Sequence, residues 1–201
     1  MKKFLVCCLL VIIFITNICG FAYTYNDAPA TTVPNYVQSD ERWADMMYSN
    51  HGDKTQTIKK GGCGVCAIAN VVAYFCDPTV TPVEIAELAI KNGYVSDGGG
   101  TYVNFHYAIA NFYPLRLLRT LNIQDVYKCL DEGGVVVAIV GRSLWNSSYD
   151  SLHAITIYAH TENHLWLYSG AKDDLISKIV GHTSEDRLVA ATRYFYCYWS
   201  K

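Results

Sequence analysis

The period of apolar positions changes twice along the chain, separating a leader, a helical stretch and a strand-rich stretch. Lys2 and Lys3 precede an unbroken apolar run over residues 4–15, and Gly20-Phe21-Ala22 then places small residues where a signal peptidase reads. This is the pattern of a secretory signal peptide over residues 1–22. The run is short for a membrane span of about 20 residues, and bulky Ile18 before Cys19 argues against a lipoprotein signal. Residues 23–33 are small, polar and Pro-containing, which predicts a linker leading into one folded domain over 34–201.

Gly61-Gly62 opens a run over 63–76 that is apolar on nearly every side, the signature of a buried central helix, and Asp77-Pro78 stops it. Thr81, Pro82 and Glu84 form a capping-box start for a second helix that ends at Asn92-Gly93. A glycine loop, Gly98-Gly99-Gly100, precedes a third helix over 102–112, halted before Pro114. Ile123, Val126, Cys129 and Leu130 mark a short amphipathic helix closed by Gly133-Gly134. Strands follow: a continuous β-branched run over 135–140, then 154–158 and 165–168 joined by a polar turn at 160–163, and a long aromatic strand over 188–199. Residues 144–150 read as an exposed loop just before His153. Helices first and strands afterwards predict an α+β domain with an antiparallel sheet.

Charge narrows the function classes. The chain carries 16 basic and 18 acidic residues with no basic patch beyond Lys59-Lys60, so no nucleic-acid footprint is present. Of 8 cysteines, Cys7, Cys8 and Cys19 fall in the leader, which leaves Cys63, Cys66, Cys76, Cys129 and Cys197. An odd count in an oxidising compartment implies an intermolecular link or a free thiol.

Cys63 is the candidate nucleophile. It follows two glycines and starts a helix, where unpaired N–H groups and the helix dipole favour a thiolate. The plainer reading is a buried or disulfide-bonded cysteine. Among six histidines, His153 heads an apolar strand at the lip of a sheet, where an imidazole can face a helix N-terminus. His51, His106, His160, His164 and His182 read as surface residues. Cys63 and Cys66 also form a Cys-x-x-Cys, the motif of a thiol-disulfide oxidoreductase, but Asp53–Lys60 is polar where that fold needs an apolar strand. No second Cys/His pair has zinc-ligand spacing.

The order of these pieces resembles the double-glycine-peptidase-like branch of the papain-like cysteine peptidases. The resemblance rests on Pro34-Asn35-Tyr36-Val37-Gln38-Ser39-Asp40-Glu41-Arg42-Trp43, Gly62-Cys63-Gly64 with its apolar helix, Thr81-Pro82, Gly100-Thr101, Leu130-Asp131-Glu132-Gly133-Gly134-Val135-Val136, and His153 with its strand. It implies a papain-like fold, N-terminal helices carrying the nucleophile and packed on a C-terminal antiparallel sheet. It further implies Cys63 as nucleophile, His153 as general base and Gln38 as an oxyanion-hole donor. The family usually places Asp or Asn after the strand that follows the histidine strand. Here Ser169 stands near that place, and a serine supplies no charge; Asp173 and Asn163 are alternatives on neighbouring loops.

The expected activity is therefore that of a secreted, extracellular cysteine peptidase or related amide-bond hydrolase. It acts on a peptide or protein substrate without metal or organic cofactor, and without stable membrane association once the signal is cleaved. The rival is a degenerate homologue that binds a peptide or cell-wall fragment in the same groove.

Overall fold

The computed structural model describes residues 29–141, 152–161, 164–168, 170 and 181–201. The expected leader and the loop over 144–150 lie outside the described residues. Six helices and six strands follow one another among the described residues. They are α1 (Ile58–Gly61), α2 (Cys63–Phe75), α3 (Pro82–Lys91), α4 (Phe105–Phe112), β1 (Leu115–Thr120), α5 (Ile123–Asp131), β2 (Val135–Val140), β3 (His153–Thr161), β4 (His164–Tyr168), β5 (Gly181–Ser184), α6 (Glu185–Ala191) and β6 (Thr192–Ser200). The strands form one sheet in the order β1-β6-β2-β3-β4-β5, antiparallel at every pairing.

The unbroken apolar run of β2 is explained by its burial on both faces. Val135, Val137 and Ile139 join the core built on α2, α3 and α4, while Val136, Ala138 and Val140 pack with Val126 and Cys129 of α5 and Leu188 and Ala191 of α6. Side chains alternate across a strand, so a central strand between two helical layers needs apolar residues at every position. The α+β architecture and the buried central helix agree with the expectation from sequence. So does the cap of α3: the Thr81 hydroxyl accepts from the Val83 N–H at 3.3 Å, and the Glu84 carboxylate accepts from the Thr81 N–H at 2.9 Å.

Several boundaries differ. The expected strand over 188–199 begins as helix α6, because Glu185 and Asp186 supply the acidic first turn that complements a helix dipole; the aromatic strand starts at Thr192. Helix α4 starts at Phe105 and not at Tyr102. Strand β3 runs on to Thr161, through part of the expected turn. Strands β1 and β5 were not expected. β1 is a sheet edge with two arginines, Arg116 over the Trp199 ring at 5.3 Å and Arg119 over Tyr194 at 3.7 Å, the kind of charged edge that resists further pairing. The expected linker overlaps the described residues at 29–33, where Val33 is buried against the core.

His106, expected at the surface, is buried at the foot of α4. Its ring stacks on Tyr196 with centroids 4.0 Å apart, and its Nδ1 meets the Tyr198 hydroxyl at 2.6 Å. Burial pushes its pKa down to about 3. The folded state therefore keeps His106 neutral where an unfolded chain, with a pKa near 6.5, takes up a proton. Its contribution to stability is fully present above about pH 6.5 and is lost as pH falls toward 3, by up to about 1.4 kcal/mol per pH unit. His106→Phe keeps a ring against Tyr196 but cannot titrate. Urea unfolding of both proteins across this range is expected to show the wild type losing stability faster than the variant; parallel curves contradict the assignment.

Candidate active site

The site begins with a crowded backbone. Helix α1 hands over to α2 at Gly62, whose N–H donates to the Ile58 carbonyl at 2.7 Å. A Cβ on Gly61 would overlap the Gly99 carbonyl, and one on Gly64 would lie 2.6 Å from Thr101 Oγ1. The glycine loop and Thr101 thus press directly against the start of α2, which is why small residues flank Cys63. Thr101 is held in turn by the buried Tyr48 hydroxyl at 2.8 Å. Gly62 has no side chain to cap α2, so the first N–H groups of that helix stay available to other acceptors.

Cys63, half-buried, uses one of them. Burial opposes its thiolate, yet the pKa lies below the ordinary thiol value. The compensating causes are the charge of His153, a hydrogen bond from its imidazole, and backbone hydrogen bonds from Ala154 and Gly64. The structure therefore brings Cys63 and His153 into direct contact across the α2–β3 interface. Cys66, one turn further along α2, is a free and fully buried thiol, and burial pushes its pKa well up. The segment before Cys63 is helix α1 where an oxidoreductase reading needs a strand, so the fold gives no support to a Cys63–Cys66 redox pair.

A second contact sets the pairing of α2 with β3. Asn70, buried on α2, donates from Nδ2 to Thr156 Oγ1 of β3 at 3.0 Å and accepts from the Tyr36 N–H at 2.9 Å. Cys63 and Asn70 are separated by about 10.5 Å of helix rise, and His153 and Thr156 by about 10 Å of strand rise. Two contacts at equal spacing hold the helix and strand side by side, so the thiol and the imidazole meet at one end. Asn70 was not singled out from sequence, although it is the one amide in an otherwise apolar helix.

Gln38 sits on the opening segment, which the Tyr36 N–H ties to Asn70 of α2 and the Tyr36 hydroxyl ties to the Val80 carbonyl at 3.0 Å, while Trp43 Nε1 braces the segment internally on the Val37 carbonyl at 2.8 Å. Gln38 Nε2 donates to the Lys59 carbonyl at 2.5 Å, four residues before Cys63. That bond identifies the nitrogen, because a carbonyl accepts only from the NH2 end of an amide. Gln38 Oε1 is buried without a hydrogen-bond partner among the described residues. The Gln38 backbone N–H donates to the Gly170 carbonyl at 2.6 Å, which ties this segment to the chain leaving β4. Ser169, Asn163 and Asp173 lie outside the described residues. Among the described residues no cluster of three or more His, Cys, Asp or Glu has a metal-binding arrangement, and no helix is long and apolar enough to cross a membrane.

The fold that carries this arrangement has a counterpart among solved structures. A protein of Bacillus anthracis described as a C39-like peptidase superposes with a TM-score of 0.55 at 16% identity, over 87% of this chain and 98% of the other. The peptidase domain of Streptococcus ComA, a bi-functional ABC transporter involved in quorum sensing, aligns over 68% of this chain and 88% of its own, at 13% identity and a TM-score of 0.48. No family model matches the chain, and no curated protein matches it in sequence. The fold is the double-glycine-peptidase-like, papain-like fold that the order of motifs resembled.

Gly61→Ala tests the crowding at the α1–α2 junction. Its methyl has to displace the Gly99 carbonyl, and overpacking of this kind costs about 1–3 kcal/mol. Chemical denaturation is expected to show that loss, against little change for Gly98→Ala, where a Cβ meets open space.

Proposed function

We propose that this chain is an exported cysteine peptidase, or a related amide-bond hydrolase, working through Cys63 and His153. The observation that carries the reading is the hydrogen-bonded Cys63–His153 contact at the N-terminus of α2, with the thiol pKa lowered despite burial. A thiolate there attacks the carbonyl carbon of a peptide bond, forming a C–S bond while the carbonyl oxygen takes up negative charge. The Cys63 backbone N–H and the second hydrogen of Gln38 Nε2 are the donors proposed for that oxygen. His153 gives its proton to the leaving amine and leaves an acyl-enzyme; it then removes a proton from water, whose attack releases the acid and restores the thiolate.

Ser169 is proposed to orient His153. The role comes to Ser169 from its position in the order of motifs, after the strand that follows the histidine strand. A hydroxyl in this role holds the ring but does not offset imidazolium charge as a carboxylate does. Export to an extracellular setting rests on the apolar leader pattern. The proposed substrate is a peptide or protein chain.

The test is hydrolysis of a mixture of unmodified peptides, read by mass spectrometry together with trapped acyl adducts. Cleavage and a Cys63-linked acyl adduct are expected in the wild type, and both are lost in Cys63→Ala. His153→Ala should fall to background, and Gln38→Ala should lower kcat by about 100-fold or more. Peptide retained by the wild type without an adduct or cleavage overturns the reading in favour of a binding protein built on the same fold.

A further inference from the structure

We propose that Cys129 and Cys197 form an intramolecular disulfide that staples α5 to the sheet, a site separate from the Cys63 thiol. The two residues are fully buried in the layer between α5 and β6. Their positions interlock. The Cys129 sulfur lies 3.7 Å from the carbonyl of Tyr198, the residue after Cys197, and the Cys197 sulfur lies 3.9 Å from the carbonyl of Asp125, one helical turn before Cys129. Each sulfur therefore reaches into the other's element, and the two thiols are in hydrogen-bonding contact. Gly134 makes room for this: a Cβ there would overlap the Cys129 sulfur. All the cysteines among the described residues are free thiols, so the proposal concerns the oxidised chain.

Elimination among the remaining cysteines points the same way. Cys66 and Cys76 both lie at α2 and its C-cap, ten residues apart, or about 15 Å along a helix. A disulfide needs Cα atoms within about 7 Å. They cannot pair with each other, and Cys63 is already engaged by His153. Cys129–Cys197 is the remaining pair in contact, and linking it leaves Cys63, Cys66 and Cys76 as thiols.

The chemistry is thiol–disulfide exchange with a small-molecule or protein disulfide as oxidant. One protein thiolate attacks a sulfur of that oxidant and releases one thiol. The second protein sulfur then attacks the mixed disulfide and releases the other. The protein loses two electrons and its two thiol protons; the oxidant gains both as two thiols. The contact with Cys197 and burial disfavour the Cys129 thiolate once α5 has docked, so the exchange belongs to folding, before the layer closes. The export proposed above would bring the chain to a compartment where such oxidants are present.

The test uses the chain with Cys63→Ala, which removes the reactive thiol, refolded from denaturant in a glutathione/glutathione-disulfide buffer and in dithiothreitol. Digestion without reduction is expected to release one linked peptide pair containing Cys129 and Cys197, with Cys66 and Cys76 alkylatable. The oxidised protein should melt about 5–15 °C above the reduced one, as expected for a cross-link closing a loop of this length. Adding Cys197→Ala should abolish both the linked peptide and the dependence of Tm on reductant. Free Cys129 and Cys197 after oxidative refolding, or a link from either to Cys66 or Cys76, overturns the proposal. Neither outcome bears on hydrolysis at Cys63.

Discussion

The side-by-side docking of α2 against β3 is the constraint from which the site follows. One contact, Asn70 to Thr156, lies within the core, and the other, Cys63 to His153, lies at the rim. Their spacing along helix and strand is nearly equal, so setting the inner contact sets the outer one. The helix has little freedom to slide or turn, because ten of its thirteen residues are buried, Val65, Ile68, Val71 and Val72 among them. Each such side chain contributes roughly 1.5–3 kcal/mol of burial. A slip of one residue would carry that set out of its holes and leave the Asn70 amide unpaired.

The same packing creates an electrostatic problem and answers it locally. A thiol at the edge of an apolar core resists ionisation, and burial is the largest influence on Cys63. The answer is convergence: His153, the Ala154 N–H and the Gly64 N–H all point at one sulfur. Cys66 has the burial without the donors, and its pKa moves the opposite way. Two cysteines one turn apart thus differ in chemistry because one caps an open helix end and the other faces the core. The glycines at 61 and 64 belong to the same solution, since they let Gly99 and Thr101 close over the helix start, and Gly62 lets the turn of α1 pack its Ile58 there.

Much of this was legible in the residues. The all-round apolar run of α2, the capping box of α3 and the β-branched run of β2 carry strong local signals, and the structure follows them. The fold class and the meeting of Cys63 with His153 were readable because helix-start and strand-start positions are marked by glycines and by a change of period. Features settled by tertiary packing were less visible. β1 has a mixed pattern because it is an edge strand that owes its conformation to pairing with β6. His106 looks polar in sequence, yet its neutral ring fills a slot between Tyr196 and Tyr198, aromatic neighbours about 90 residues away. α6 is only seven residues long, too short for its period to stand out before the aromatic run of β6.

The central claim is that contact with His153 brings the Cys63 thiol below its ordinary pKa. It is tested most directly by the ultraviolet absorbance of thiolate across pH, taken as the difference between the wild type and Cys63→Ala. The account predicts a step for one sulfur below the ordinary thiol range, moving to the alkaline side in His153→Ala. A difference spectrum that rises only in the ordinary thiol range, and is unchanged by His153→Ala, would contradict it.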